Sequence, residues 1–152
     1  MGKKEVIISI TGMQGVEAGE KDAVELSTDG EYCFSEDETL FSYMESELTG
    51  LEGTKTSFSV GPEGVVMSRE GSLNSRMIFE EGKKHLFLYE TPVGAMTMGV
   101  RTHKIMNSLG EHGGEIEIDY VLDFDYVTVG RNKFKINVRE QGCGARRDYR
   151  RQ

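Results

Sequence analysis

Glu115-Ile116-Glu117-Ile118-Asp119-Tyr120-Val121-Leu122-Asp123-Phe124 alternates without a break: every even position is apolar or aromatic, and four of the five odd positions are acidic. A period of two sends successive side chains to opposite faces of an extended strand. The even face is therefore read as core, with Ile116 through Phe124 buried together, and the odd face as the side that meets water. Weaker copies of the pattern occur at Val6, Ile8 and Ile10, at Val24 and Leu26, at Thr54, Thr56, Phe58 and Val60, and at Phe134, Ile136 and Val138. One apolar face per strand is the mark of an antiparallel sheet.

Turn residues separate these runs at intervals of about ten residues, the spacing of short-stranded sandwiches and barrels. Thr28-Asp29-Gly30 is expected to bend or break the second strand, and Ser35-Glu36-Asp37-Glu38 to form an acidic hairpin tip. Gly50-Leu51-Glu52-Gly53, Gly61-Pro62-Glu63-Gly64, Glu70-Gly71-Ser72, Glu81-Gly82-Lys83-Lys84 and Thr91-Pro92-Val93-Gly94 continue the series. Helical spacing occurs once, at Ile105, Met106 and Leu109, over a segment too short to stand as a helix and read as a turn or irregular strand.

A sheet with one apolar face and no helix to cover it must close on itself or fold into two layers. Short links between consecutive strands favour closure, since a Greek-key sandwich needs longer crossovers. The expectation is an all-β protein, a closed up-and-down antiparallel barrel of about eight to ten strands.

The 152 residues suit one domain, placed at 1–140, followed by a Gly/Arg-rich tail at 141–152 that is expected to be mobile and to add little stability. Glycine contributes 19 residues and proline only 2, as befits a chain with many turns. Lysine and arginine total 18 against 26 acids, a net charge of −8. Four of those cations, Arg146, Arg147, Arg150 and Arg151, lie in the tail, so the remaining body is more acidic still. Nucleic acid and anionic membrane surfaces are therefore not expected partners.

The N-terminal apolar run is too short and too alternating for a signal core or a membrane span, and a cytoplasmic location is expected. Cys33 and Cys143 do not form a disulfide framework and are expected to stay unbridged.

The successive motifs Tyr43-Met44-Glu45, Thr49-Gly50-Leu51-Glu52-Gly53-Thr54-Lys55-Thr56, Met67-Ser68-Arg69-Glu70-Gly71 and Tyr89-Glu90-Thr91-Pro92-Val93-Gly94 resemble the YwiB-like bacterial family of unknown function. The resemblance runs from about residue 4 to residue 140. It implies a calycin-type, lipocalin-like closed barrel in a bacterial cytoplasm, and it brings no activity, ligand or catalytic residue with it.

His85, His103 and His112 lack zinc-ligand spacing, and His112 reads as part of a solvated loop. Asp119, Asp123 and Asp125 alternate along a strand and do not form a calcium loop. No nucleophile elbow, phosphate loop or dinucleotide fingerprint is present, and no metal or cofactor is expected.

The informative residues are polar ones that share parity with apolar neighbours. Phe41, Tyr43 and Glu45 point one way, as do Val65, Met67 and Arg69, so Glu45 and Arg69 are candidate partners inside the barrel. Their ordinary reading is that they close one end of the barrel or sit at strand ends in water; the functional one is a polar anchor in a cavity. Tyr43, Glu45, Thr56, Met67, Arg69, Met77 and Tyr89 are the lumen candidates, and Met67, Met77, Met96 and Met98 are expected mid-strand, as core or as soft pocket wall. Three functions stay open. A binding module would hold a small, partly apolar molecule in the lumen. An interaction protein would have a filled lumen, and an enzyme would use Glu45 near Arg69, the least favoured of the three. The sequence carries no signal for an oligomeric state.

Overall fold

A computed structural model describes residues 3–14, 22–46, 51–124 and 127–141. Ten strands follow one another: β1 Lys4–Gln14, β2 Asp22–Cys33, β3 Thr39–Met44, β4 Lys55–Gly61, β5 Gly64–Glu70, β6 Asn74–Phe79, β7 Lys84–Thr91, β8 Gly94–Asn107, β9 Gly113–Phe124 and β10 Val127–Glu140. Each pairs antiparallel with its neighbour in sequence, and β1 pairs with β10 from Val6–Glu140 to Gln14–Asn132. The sheet is thus a closed up-and-down barrel. No helix among the described residues is long and apolar enough to cross a membrane.

Alternation decides what lies inside. On β9 the residues Ile116, Ile118 and Tyr120 are buried while Glu117 and Asp119 face out, and Lys133 and Arg131 on β10 neutralise them from the next strand. The burial expected of the whole even face stops short: Leu122 is half-buried and Phe124 is 43% exposed. Phe124 is the last residue of β9, paired with Met98 and Val127 at the barrel's rim, where no further turn of sheet covers it.

The interior is joined across its width as well as along its wall. Phe41 and Phe58 stack at 4.8 Å on adjacent strands, and Phe79 of β6 meets Tyr120 of β9 edge-on at 5.2 Å although those strands are not neighbours. A barrel of about eight strands is just filled by its own side chains, so ten strands need such cross-lumen aromatics to stay packed.

Thr28-Asp29-Gly30 does not break β2, whose pairing with β1 continues through it. Gly30 is there for closeness: a Cβ on it would stand 2.4 Å from Ile8 Cδ1 and 2.6 Å from Ser42 O. Of the segment of helical spacing, Ile105 and Met106 lie in the far half of β8, displaced by a bulge between Thr102 and Lys104, and Leu109 follows the strand. The first residue of the expected tail, Gln141, is tied to the barrel through its amide to Glu5 O and its side chain to Val6 O and Asp29. Residues 142–152, with Cys143 and the four arginines, lie outside the described residues.

Candidate functional site

Register assembles the site from five strands. Tyr43 of β3 pairs with Thr56 of β4, Thr56 with Arg69 of β5, Arg69 with Ser75 of β6, and Ser75 with Tyr89 of β7. All five share parity with buried apolar neighbours, so they form one polar row on the inner wall. The next inner row is apolar: Phe41, Phe58, Met67 and Met77.

Glu45 lies just beyond β3, yet its amide bonds to Thr54 O at 2.8 Å, which prolongs the strand path and keeps the side chain pointing inward. Thr56 Oγ1 donates to Glu45 Oε2 at 2.5 Å, and Arg69 Nε stands 3.9 Å from the same oxygen. The carboxylate is withdrawn from water, with 3% of its side chain exposed, against 19% for Arg69. Burial pushes the Tyr43 hydroxyl well above its ordinary range; the charge of Glu45 adds to the rise, and Arg69 opposes it.

The connection after β5 folds over part of this end of the barrel. Ser72 Oγ donates to Glu52 O at 2.8 Å, the Leu73 amide to Thr54 Oγ1 at 3.3 Å, and the Leu73 and Thr54 side chains are buried beneath. Gly71 permits the contact: at φ 135° it sits where a Cβ would lie 2.2 Å from Gly53 O.

Two atoms of the row have work left undone. Arg69 Nε and Ser75 Oγ are both buried without a hydrogen-bond partner among the described residues, as is Thr102 Oγ1 on the inner face of β8. Arg69 also acts across the lumen, since its charge opposes the burial that raises the Tyr120 hydroxyl. A buried donor without an acceptor costs roughly 1–3 kcal/mol, so such atoms mark places where water or a guest belongs.

All seven lumen candidates from the sequence lie on the inner wall. Tyr43, Glu45, Thr56 and Arg69 form one cluster; Tyr89 joins it through Ser75; Met67 and Met77 are core residues one row deeper. Met98 is half-buried, and Met96, expected mid-strand, is 41% exposed near the start of β8. Sequence reading passed over Ser75, whose parity with Met77 and Phe79 was the available signal behind its polar neighbours Asn74 and Arg76.

Cys33 is free and half-buried at the end of β2. His112 is exposed, though it meets Glu140 at 2.8 Å. Asp119 and Asp123 are outer-face acids held by Arg131 and Lys84; Asp125 lies outside the described residues. Among the described residues no cluster of three or more His, Cys, Asp and Glu side chains could hold a metal ion.

Clefts of about 480 and 380 Å³ run along the outer wall from β1 to β4, past Asp29, Glu31, Ser42 and Lys55, and neither is lined by Glu45 or Arg69. Chemically, the cluster offers a guanidinium donor and a hydroxyl beside a carboxylate already engaged by Thr56. It is equipped to receive a hydrogen-bond acceptor.

No curated protein matches the chain. Among solved structures, the crystal structure of the ywiB protein from Bacillus subtilis superposes with a TM-score of 0.76 over 92% of this chain and 94% of that one, at 18% sequence identity, a likeness of fold. Residues 8–136 match a family model, and the chain belongs to that family, described as a domain of unknown function, DUF1934.

Proposed function

We propose that the protein is a binding barrel of the lipocalin type, taking a small amphipathic molecule whose anionic head is received by Arg69 and Ser75. The observation that carries this reading is the unsatisfied pair of inner-wall atoms, Arg69 Nε and Ser75 Oγ, on one rung of the β5–β6 ladder. Glu45 balances the charge of Arg69 from 3.9 Å, beyond hydrogen-bond reach, which leaves the Nε donor for a guest. Tyr89 and Met98, half-buried on the inner faces of β7 and β8, offer a surface for the apolar remainder. An enzymatic reading is less well supported, because Glu45 is almost wholly enclosed and pairs with a group that does not give up its proton.

The test is thermal unfolding with octanoate and, separately, octanol. Octanoate is expected to raise the melting temperature of the parent with saturation, octanol to do so much less, and Arg69→Met to lose the octanoate effect while still unfolding cooperatively. No shift of the parent at millimolar octanoate would refute the reading.

A further inference from the structure

The wall of the barrel is not uniformly zipped. β5 and β6 share five rungs and β7 and β8 share eight, whereas β6 and β7 share two, Asn74–Glu90 and Ser75–Tyr89. Continued in register, Met77 would pair with Phe87, Ile78 with Leu86 and Phe79 with His85; none of these rungs is made. The strands nevertheless stay neighbours.

The far end of this seam is fastened again by other means. Glu80 Oε1 lies 2.9 Å from His85 Nε2, and the Lys83 amide donates to Glu80 O at 3.0 Å. The turn itself is pinned to β8, with the Gly82 amide on Thr102 O and Glu81 accepting from the Ile105 amide. The result is a slit stitched at both ends and unlaced between them.

Strand edges without a ladder partner need water or a guest to satisfy them. The outer lip of the slit is apolar and wet, with Leu86 64% and Leu88 48% exposed, and its inner lip is Met77, Phe79 and Phe87. Its laced end is the Ser75–Tyr89 rung, so the slit leads to the unsatisfied Ser75 and, one strand further, to Arg69.

Resting on the binding function proposed above, we infer that the β6–β7 slit is the way by which the amphipathic anion reaches Arg69, with Glu80–His85 as the clasp at its far end. An apolar tail crosses the Leu86 and Leu88 lip without exposing the core to bulk water, and the anionic head comes to rest at the laced end. Leu73, buried with its amide on Thr54 Oγ1, covers the β4–β5 side of the end above Arg69.

The experiment places cysteines at Ile78 and Leu86, both on the outer face, in a chain carrying Cys33→Ser and Cys143→Ser. Oxidation staples the slit; reduction of the same protein is its folding control. Octanoate uptake is followed by the exchange broadening of its NMR signals, and amide hydrogen exchange is measured on the parent without ligand. The inference expects association at least tenfold slower in the oxidised protein and restored on reduction. It also expects faster amide exchange at Met77–Phe79 than at the fully laddered Thr56–Phe58.

Binding retained with an unchanged association rate on oxidation means the molecule comes in over the Met96 rim, and overturns the slit alone. Equal exchange protection at the two segments also overturns it. Absence of octanoate binding in both parent and reduced protein removes the binding function and the slit's role together.

Discussion

Arg69 Nε lies 3.9 Å from Glu45 Oε2, near enough for attraction between charges and too far for a hydrogen bond. Thr56 occupies the place a tighter ion pair would take, donating to that same oxygen from the strand between them. The contact therefore leaves the buried Nε donor of Arg69 without a hydrogen-bond acceptor among the described residues. That combination is poor for stability alone and well suited to a guest that supplies the missing acceptor.

Removing one partner separates these roles. Arg69→Met leaves the Glu45 carboxylate enclosed without a counter-charge, and stability is expected to fall by about 2 kcal/mol, below the ~3–5 of a fully buried pair because part of Arg69 reaches water. Combining Glu45→Leu with Arg69→Met removes both desolvation costs and is expected to recover more than half of the loss. Urea unfolding midpoints measure both. If each single variant matches the parent within ~0.5 kcal/mol, the two groups are solvated strand ends.

How much of this was written in the sequence depends on the kind of interaction. Period two located β9 and its buried Ile116, Ile118 and Tyr120, because that signal is local and the barrel merely obeys it. Parity likewise put Glu45 and Arg69 on one side of their strands, and register did the rest. What escaped depends on neighbours far away in the chain. Phe124 is exposed because β9 ends there and β10 only begins beside it, and Gly30 is required by Ile8 and Ser42, so it looked like a break. The unlaced β6–β7 seam has no residue signature, since Met77 and Phe87 are ordinary inward strand residues whose missing rung is a matter of barrel shape.

At alkaline pH the buried phenols should resist ionisation. Burial pushes Tyr32 up to about 12 and raises Tyr43 and Tyr120 further, with the charge of Glu45 assisting at Tyr43. Folded values above the unfolded one favour the fold below about pH 10, and that contribution is lost as pH rises from there through the folded values. Ultraviolet titration is expected to show Tyr32, Tyr43 and Tyr120 protonated at about pH 11, with their absorbance change appearing only together with unfolding. A titration of all tyrosines near pH 10 with the fold intact would contradict their burial.

On the acid side the paired carboxylates of the outer wall carry part of the response. Two hydrogen bonds from Arg131, at 3.0 and 2.8 Å, hold Asp119 below the usual carboxylate range, and Lys84 does the same for Asp123. Folded values depressed in this way stabilise above the unfolded value near 4, and the benefit disappears as pH falls through the folded ones. Asp119→Asn is expected to cost at most about 1 kcal/mol at pH 7, given the partial exposure of the pair, and progressively less as the medium is acidified. Unfolding curves for parent and variant that stay parallel down to pH 2 would count against this pair.

Gly30→Ala tests how closely β2 packs against its surroundings. A methyl there meets Ile8 Cδ1 at 2.4 Å and Ser42 O at 2.6 Å; the first belongs to a side chain that can turn aside, the second to backbone that cannot. Gly30 pairs with Tyr43, so displacing β2 also disturbs the first residue of the polar row. A loss of about 1–3 kcal/mol is expected, the usual range for overpacking a filled interior. Ile8→Val in the same chain removes the Cδ1 contact and should return only part of that loss, because the Ser42 carbonyl is still in the way. Gly12→Ala on β1 is the control, with nothing within 4 Å of its Cβ, and is expected to be neutral or slightly stabilising. If Gly30→Ala is as stable as Gly12→Ala, β2 and β3 lie further apart than these contacts require, and the wall behind Tyr43 has room that a guest could use.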